Sequence, residues 1–336
     1  MNRLGGIHRQ EAIVPESLGA ATWANLATEG AIRPVLSVCI PFYKFDVMPL
    51  VQELLRQGAP FAGDLELLLA DDASGDEALV NRIQSATREA SVAVRLLVYS
   101  RNLGRSVIRN RLAVAAAASY ILFMDADAFP DSGSYLQRYL IEAARATADV
   151  VVGGRSYALV RSTPKNQQLY LYYSRRTECA PADRRSATAW RHVFTNNIMI
   201  RRNLLLETPF DDAYSGWGYE DTDWAIKIMK KGATVVHIDN TATHLGLIDD
   251  ESLVCKYRES VPNFERLLDK FPDELQSSPV YRLARLFARV GLKTALPERL
   301  CQRLILEPKL PLFLRYSLLQ CFKALIYTPA LRRKRS

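Results

Sequence analysis

Acidic residues stand directly after two short apolar runs of the sequence, where they could bind a cation or accept a proton. The run "LELLLADD" ends in Asp71 and Asp72, and "YILFMDAD" contributes Asp125 and Asp127. A D-x-D pair that leaves a buried strand brings two carboxylates to one place, and hard oxygen ligands of this kind suit Mg²⁺ or Mn²⁺ beside a diphosphate. One such pair is weak support by itself, because most acids at strand ends only begin turns.

A second group of acids lies in "SGWGYEDTDWAIKIMKKG", which begins at Ser215 and contains Glu220, Asp221 and Asp223. Acids ahead of an amphipathic run can satisfy the free N–H groups of a helix and suit its dipole. One of them could instead take a proton from a reacting hydroxyl as a general base. Further on, His244 could be a metal ligand or an ordinary half-buried histidine. The residues alone leave both alternatives open.

The elements that must position these residues alternate along the first half of the chain. Apolar, β-branched runs begin at Val35, Leu65, Val94, Tyr120 and Asp149, with amphipathic helical patterns between them. This alternation predicts a doubly wound, mostly parallel α/β sheet, and ligands of such sheets bind at the carboxyl ends of the strands. Besides the acids, the side chains expected at that edge are Pro41, Tyr43, Asn102, Gly104, Arg105 and Arg109.

Composition limits the compartment and the partners. The 336 residues carry a formal net charge of +8, but the segment from Val280 to Ser336 holds 13 Lys/Arg against 2 Asp/Glu, a net charge of +11. A slightly acidic body with a basic tail is not typical of a nucleic-acid-binding domain, so no nucleic-acid partner is expected.

Five scattered cysteines without a C-x-x-C pair indicate a reducing compartment. No secretory signal or membrane-spanning run is recognisable, so we expect a cytoplasmic protein.

Signatures of several other α/β enzymes are absent from the sequence. It contains no G-x-G-x-x-G after a strand, no G-x-x-x-x-G-K-[ST], no H-E-x-x-H and no G-x-S-x-G. Dehydrogenases, P-loop enzymes, zinc proteases and serine hydrolases of the usual kinds therefore lose their main support.

A set of ordered motifs resembles glycosyltransferase family 2, whose members have the GT-A fold. The motifs are "LSVCIPFYKF", "LLLADDASGD", "NLGRSVIRN", "FMDADAFPD" and the stretch from "FTNNIMIRR" to "THLGL", so the resemblance runs from about Val35 to Leu247. The G-W-G-x-E-D turn is similar to that of galactosyl- and N-acetylgalactosaminyl-transferring branches. Lys44 departs from the pattern, because family members usually have Asn at this position.

The resemblance implies a GT-A type sheet, mixed but mostly parallel, with a helical C-terminal extension. It divides the chain into an N-terminal extension over residues 1–34, a catalytic domain over 35–250 and a basic helical region over 251–336. Within the domain, residues 35–153 would bind the nucleotide-sugar and residues 154–250 would supply the acceptor and catalytic half. Residues 155–190 are polar, Arg-rich and aromatic, which predicts an irregular insertion.

The resemblance also implies a role for each matching residue. Asp221 would be the general base, and Asp127 with His244 would hold Mn²⁺ or Mg²⁺. Trp217 and Glu220 would contact the acceptor, and Asn196 and Asn197 are further candidates for acceptor or diphosphate contacts. The residues implied to bind the nucleotide-sugar are Pro41, Tyr43, Asp71, Asp72, Asn102, Gly104, Arg109, Asp125 and Asp127.

The implied activity is metal-dependent, inverting transfer of a sugar from a nucleotide-sugar, most simply a UDP-sugar, to a glycan or lipid-linked glycan in surface polysaccharide synthesis. A single displacement of this kind needs one carboxylate to take the hydroxyl proton and a metal beside the diphosphate. The alternatives are a sugar-nucleotidyltransferase, which would need a Gly-rich loop after the first strand, and a non-catalytic nucleotide- or glycan-binding subunit.

The basic C-terminal region admits two interpretations. In "VYRLARLFARVGL" the apolar residues fall mainly on one side and three arginines mostly off it. Such a helix suits docking on an anionic membrane surface, which would place the protein at the cytoplasmic face of a membrane. It equally suits a helical bundle that packs on the catalytic domain and exposes a basic face.

Overall fold

The computed structural model describes residues 19–29 and 34–334 of the chain. Its strands are β1 (Ala20–Ala24), β2 (Leu36–Phe42), β3 (Leu65–Asp71), β4 (Ala93–Tyr99), β5 (Tyr120–Met124), β6 (Ala128–Pro130), β7 (Val150–Val152), β8 (Arg155–Ser156), β9 (Asn197–Arg201), β10 (Val235–His237) and β11 (Ala242–His244). Its helices are α1 (Met48–Gly58), α2 (Glu77–Thr87), α3 (Arg105–Ala115), α4 (Tyr135–Arg145), α5 (Gln168–Thr177), α6 (Ala182–Ser186), α7 (Arg202–Glu207), α8 (Glu220–Lys230), α9 (Asp250–Glu259), α10 (Val261–Lys270), α11 (Pro272–Leu275), α12 (Pro279–Arg289), α13 (Ala295–Ile305) and α14 (Leu312–Arg333).

The central sheet has eight strands in the order β1-β4-β3-β2-β5-β9-β7-β10. Strands β4, β3, β2 and β5 pair in parallel, and so do β7 and β10, whereas β9 is antiparallel to both of its neighbours. A second sheet of order β6-β11-β8 lies beyond the end of β5. The mixed, mostly parallel sheet predicted from the alternating pattern is confirmed.

Both faces of the central sheet are buried, as parallel sheets require. On one face Val38 and Ile40 of β2 share a core with apolar residues of α1, α2 and α4. On the other face Cys39 shares a core with residues of α3, α7 and α8. Because β2, β3 and β5 are covered on both faces, a ligand would reach them at a strand end, and in sheets of this kind ligands bind at the carboxyl ends.

The structure corrects two details of the predicted organisation. Residues 155–190 are not irregular, because α5 and α6 form there and Leu169 and Tyr170 of α5 are buried. Most of the predicted N-terminal extension lies outside the described residues, but β1 pairs antiparallel with β4 and so belongs to the sheet. Residue 34 is therefore not the boundary of the folded domain.

The C-terminal helices α9, α10, α12, α13 and α14 form a third core, which also takes in Leu169 and Tyr170 of α5 and Ile226 of α8. The C-terminal helices thus pack on the rest of the chain, as one of the two interpretations of the basic region predicts. In α12 the buried residues are Tyr281, Ala284 and Ala288. No helix in the described parts of the chain is both long enough and apolar enough to cross a membrane.

Candidate active site

Two cavities meet at the carboxyl ends of the parallel strands. The larger, here called the strand-end cavity, has a volume of about 640 Å³. It is lined by Pro41, Phe42, Tyr43, Phe45, Asp72, Asn102, Gly104, Arg105, Ile108, Arg109, Asp125, Ala126, Asp127 and Gly216. The lining includes one exposed tyrosine ring, that of Tyr43, and two arginines. The lining can therefore contact a flat ring and an anionic group in one ligand.

Asp72 shapes one wall of the strand-end cavity. Its carboxylate accepts hydrogen bonds from the backbone N–H groups of Leu103 (2.6 Å) and Gly104 (3.1 Å). Gly104 has a φ of +81°, a conformation that side chains rarely adopt, and α3 begins immediately after it. Burial raises the pKa of Asp72, although the two N–H donors partly oppose this. The carboxylate thus fixes the loop that ends β4 and directs the N-terminus of α3 toward the cavity.

Asp125, the first residue after β5, is held by two arginines of α3. Its Oδ1 accepts a hydrogen bond of 2.7 Å from Arg109, and its Oδ2 lies 3.9 Å from Arg105. Burial alone would raise the pKa of Asp125, but the two guanidinium groups outweigh it and lower the pKa to about 2. Asp125 is therefore ionised at every physiological pH and can accept hydrogen bonds but cannot donate one.

Asp127 and His244 form the part of the site best suited to a cation. Asp127 Oδ1 lies 3.1 Å from His244 Nδ1, and the other ring nitrogen lies 3.0 Å from the Tyr170 hydroxyl. Ligating histidines generally use their second nitrogen in such a hydrogen bond. Gly246 adds to the fit, because a β-carbon at this position would collide with Asp127 Oδ2. The absence of a side chain here leaves that oxygen uncovered.

These two side chains fit a hard divalent ion that shares its coordination with a ligand. In the described parts of the chain, no three His, Cys, Asp or Glu side chains gather closely enough to enclose a metal ion. Mg²⁺ and Mn²⁺ commonly use one or two carboxylates and fill the remaining positions with phosphate oxygens and water. Asp127 lines both cavities, so an ion held there would face a ligand in either.

The smaller cavity, here called the tyrosine cavity, has a volume of about 280 Å³. Its wall includes residues of α5, the turn before α8, α9 and α14. The side chains of its wall are Arg155, Tyr170, Tyr173, Glu178, Phe194, Trp217, Tyr219, Lys256, Tyr257 and Lys323, and the acids at its floor are Asp125, Asp127, Glu220 and Asp221. Aromatic rings beside carboxylates are typical of a site for a polar ligand with apolar faces, such as a sugar.

Asp221 lies on the first turn of α8 and does not cap the helix. Its Oδ2 accepts hydrogen bonds from the backbone N–H (3.1 Å) and the hydroxyl (3.3 Å) of Thr195. Its Oδ1 is buried without a hydrogen-bond partner among the described residues. Burial first, and the neighbouring Glu220 second, raise the pKa of Asp221 to about 6 against the opposing pull of two arginines. A carboxylate with one free oxygen and a pKa near neutrality is suited to accept a proton.

Glu220 connects the two cavities through an ion pair. Its Oε1 accepts a hydrogen bond of 2.9 Å from Arg105, whose guanidinium also lies 3.9 Å from Asp125. Glu220 is buried, and its neighbour Asp221 faces the same cavity. The pair therefore holds α3 and α8 in fixed positions across the junction of the cavities.

Asp223 has a different role from its neighbours in the sequence. Its side chain is fully buried and contacts Lys227 at 2.6 Å, Lys270 at 2.8 Å and the Tyr214 hydroxyl at 3.1 Å. It does not cap the helix, since α8 begins after Tyr219 without a side-chain cap. Asp223 thus anchors α8 to α10 and points away from the cavities.

The G-W-G turn is held in place by the C-terminal helices. The amide of Asn263 on α10 donates hydrogen bonds to the carbonyls of Ser215 (2.9 Å) and Gly218 (3.0 Å). Gly216 and Gly218 both have positive φ, so the sharp turn depends on residues without side chains. Trp217 is half-buried, with its ring edge-on to Tyr257 at 5.1 Å between centroids. The turn therefore places Trp217 in the lining of the tyrosine cavity.

The structure brings nearly all of the sequence-predicted residues together. Asp71 is an exception: it lines neither cavity, and its Oδ1 accepts a hydrogen bond from the backbone of Ser74. Asn197 is buried against two tyrosines of α4, whereas Asn196 does reach the tyrosine cavity. The sequence analysis missed Thr195, Tyr170, Lys256 and Lys323, because nothing in their local patterns indicates that distant helices converge on one cavity.

Comparison with known proteins defines the class. The family model "Glycosyl transferase family 2" matches residues 37–207, about half of the chain. The chain therefore belongs to glycosyl transferase family 2, and this favours a glycosyltransferase over a sugar-nucleotidyltransferase. The uncharacterized glycosyltransferase EpsJ of Bacillus subtilis is 27% identical over 218 residues, which are 61% of this chain and 59% of the relative. The chain thus spans less than two thirds of that relative's length.

Two solved structures share the fold. The mannosyltransferase PcManGT from Pyrobaculum calidifontis, solved with GDP-Man and Mn²⁺, has a TM-score of 0.57 at 16% identity, over 90% of this chain and 89% of its own. Residues 1–349 of TarS from S. aureus give a TM-score of 0.52 at 17% identity, over 89% of this chain and 91% of that chain. Because both matches extend over most of the described chain, they support the GT-A type fold and include its helical C-terminal portion.

Proposed function

We propose that this protein is a metal-dependent, inverting glycosyltransferase. It would bind a nucleotide-sugar in the strand-end cavity and transfer the sugar to a hydroxyl of a glycan in the tyrosine cavity. The observation that carries the proposal is the free, buried Oδ1 of Asp221, which lies in the lining of one cavity beside residues shared with the other. Family membership and the fold support the same activity.

In this proposal Asp221 is the general base. The acceptor hydroxyl donates its proton to Oδ1 as its oxygen attacks C1 of the donor sugar. The bond from C1 to the diphosphate oxygen breaks, and its electron pair leaves with the diphosphate. A single displacement inverts the configuration at C1, because attack and departure take place on opposite faces. Thr195 holds the other carboxylate oxygen and so fixes the direction in which the base points.

The donor side of the site needs positive charge where the diphosphate leaves. Arg105 lines both cavities and supplies part of it. A divalent ion held by Asp127 and His244 would neutralise charge on the departing diphosphate as a Lewis acid. Mn²⁺ accompanies GDP-Man in the similar mannosyltransferase structure, which supports a metal here as well. Tyr43 would stack on the base, and Asp125 would accept hydrogen bonds from ribose or sugar hydroxyls.

The proposal can be tested without knowing the acceptor. Purified protein is incubated with UDP- and GDP-sugars and Mn²⁺, and release of the nucleoside diphosphate is measured. Slow hydrolysis of one donor, most simply a UDP-sugar, is expected, since water can replace the acceptor. Chelation by EDTA should remove the activity, and Mn²⁺ should restore it. Failure to bind or hydrolyse any nucleotide-sugar in the presence of Mn²⁺ would overturn the proposal.

We further propose that the C-terminal helices bring the enzyme to an anionic membrane surface, where a lipid-linked glycan for surface polysaccharide would be the acceptor. Large apolar side chains are exposed at Val290 (66%), Leu296 (77%) and Phe313 (63%) although the bundle is packed. The exposed basic residues of the same region include Arg282, Arg285, Arg289, Lys293, Arg299, Arg303, Lys309, Arg333 and Lys334. Apolar side chains surrounded by basic ones suit the cytoplasmic face of a membrane, whose lipids are partly anionic.

Vesicle flotation tests this membrane contact. The protein should float with vesicles that contain phosphatidylglycerol and not with vesicles of phosphatidylcholine alone. The double variant Leu296→Gln, Phe313→Gln should lose most of the binding, whereas Leu26→Gln, at a leucine of 58% exposure outside the C-terminal region, should keep it. Binding that is equal for all three proteins would contradict the assignment.

A further inference from the structure

Lys323 of α14 places its ammonium group among tyrosine rings in the wall of the tyrosine cavity. The Nζ atom lies 4.2 Å from the centroid of the Tyr257 ring and 5.1 Å from that of Tyr173. Its one hydrogen-bond partner among the described residues is the Tyr173 hydroxyl, at 3.3 Å. Burial lowers the pKa of Lys323 to about 8, so the group still carries its charge at pH 7. A lysine has three N–H donors, so this one is poorly satisfied.

Lys256 of α9 is a second cation in the same wall with unused N–H donors. It is half-buried, and its ammonium group forms no ion pair or hydrogen bond with any described residue. Burial lowers its pKa and the nearby charge of Arg105 adds to this effect, whereas the carboxylates of Asp127 and Glu259 oppose it. Half-buried ammonium groups with unsatisfied N–H donors cost free energy, so two of them in one small cavity call for an explanation.

The two arginines of the cavity are already paired with acids. Arg155 is bound to Glu178 at 2.6 Å, and Arg105 is bound to Glu220 at 2.9 Å. Glu178 is the one acid whose charge raises the pKa of Lys323, and its carboxylate is held by Arg155. If a divalent ion takes Asp127, one of the two carboxylates whose charge acts on Lys256 is no longer available to it. An anionic group of a ligand would then supply acceptors for the N–H donors of both lysines.

We propose that the tyrosine cavity binds an acceptor carrying an anionic group, a phosphate or a carboxylate, and that Lys256 and Lys323 recognise this group. The inference rests on the proposed function and names the chemical class of its acceptor. Lysine binds phosphates and carboxylates as a compact point charge, so either anion would satisfy the free N–H donors. The surrounding tyrosine rings would meanwhile pack against the faces of the acceptor sugar.

The test uses three probes that differ only at C6: glucose, glucose 6-phosphate and glucuronic acid. Protein is first titrated with UDP and Mn²⁺, which would fill the strand-end cavity, and each probe is then added in a calorimetric titration. Charge-assisted hydrogen bonds predict that at least one anionic probe binds about 10- to 100-fold more tightly than glucose. Comparison of the two anions shows whether the site prefers phosphate or carboxylate.

Variants connect the preference to the two lysines. In Lys323→Met and Lys256→Met the preference over glucose should fall about tenfold or more, and the double variant should show almost none. Lys256→Arg retains the charge and should retain the preference. Lys309→Met, an exposed lysine of the same region outside both cavities, is the matched control and should behave as the wild type.

Two results would overturn the inference: glucose binding as tightly as both anionic probes, or an unchanged preference in the double lysine variant. The UDP titration reports separately on the proposed function. If UDP does not bind, the donor assignment fails, whereas the charge preference of the same protein is still measured through the lysine variants.

Discussion

Replacement of Asp221 by Asn is the most direct test of how this site works. The substitution keeps the size and the hydrogen bonds to Thr195 but removes the group that accepts the proton. General bases contribute about 10²- to 10⁴-fold to reaction rates, so turnover of donor and acceptor should fall by that amount. Donor binding should stay near the wild-type level, because Asp221 does not line the strand-end cavity, which is the proposed donor site.

The pH dependence gives the same prediction a numerical form. With a pKa of about 6, Asp221 would be about half ionised at pH 6 and about one-eleventh ionised at pH 5. In the wild type, kcat/KM should therefore be level above pH 7 and about tenfold lower at pH 5. The residual activity of Asp221→Asn should lack this acid limb. A variant that turns over at the wild-type rate, or a wild-type profile that stays level down to pH 4.5, would refute the assignment of the base.

A stability measurement distinguishes a general base at position 221 from an aspartate that only supports the fold. The folded pKa of Asp221 lies above the usual aspartate value of 3.8, so the folded protein binds more protons than the unfolded chain between about pH 4 and 6. The protonated carboxyl group therefore stabilises the folded protein. This contribution to stability is lost as the pH rises through 6. At pH 7 the ionised group costs up to about 3 kcal/mol, so Asp221→Asn should not lower the melting temperature there.

Three further predictions concern the neighbouring residues. Asp223→Asn breaks the ion pairs with Lys227 and Lys270, and should cost about 1–3 kcal/mol in the free energy of unfolding, measured in urea, with little change in kcat. Asp127→Ala should abolish the Mn²⁺ dependence of UDP binding in calorimetry, because it removes a proposed ligand of the ion. Lys323→Met should stabilise the protein at pH 7 by up to about 3 kcal/mol, since a folded pKa of about 8 lies below the usual 10.5. The unfolded chain binds more protons between those values, so wild-type stability rises with pH there and the advantage of the variant should vanish by about pH 10.5.

The outcomes that contradict these predictions are distinct. A loss of kcat in folded Asp223→Asn would mean that the acid acts in the chemistry. UDP binding that depends on Mn²⁺ as strongly in Asp127→Ala as in the wild type would remove Asp127 from the metal site. A Lys323→Met protein that is less stable than the wild type at pH 7 would show that the ammonium contributes favourable contacts.

The fold was largely predictable from the sequence because its main signals are local. Continuous apolar runs such as "YILFM" and the amphipathic patterns between them each reflect contacts on both faces of one sheet. The wrong predictions concern segments whose structure depends on contacts with distant parts of the chain. The polar segment 155–190 forms α5 because Leu169 and Tyr170 find partners in the C-terminal helices, and β1 forms because the edge of β4 is available.

The strand-end cavity could be predicted, whereas the wall of the tyrosine cavity could not. Residues such as Asp72, Asp125 and Asp127 follow strands, and the geometry of a parallel sheet brings strand ends together. Lys323 and Tyr173 lie on helices that are far apart in sequence. Hydrophobic periodicity predicts a helix but not which other helix it packs against. Asp71 and Asp72 could not be distinguished either, since their different contacts depend on the loop before α3.

The two cavities are lined by different parts of the sequence, and this has a consequence for how such enzymes can diversify. Most of the lining of the strand-end cavity comes from residues 41–127, while the wall of the tyrosine cavity includes α9 and α14, beyond residue 250. The family-model match ends at residue 207, before Asp221 and before these helices. Selection can therefore alter one stretch of the gene while leaving the other intact. A chimera that exchanges residues 251–334 between two relatives should inherit its donor from one parent and its acceptor from the other.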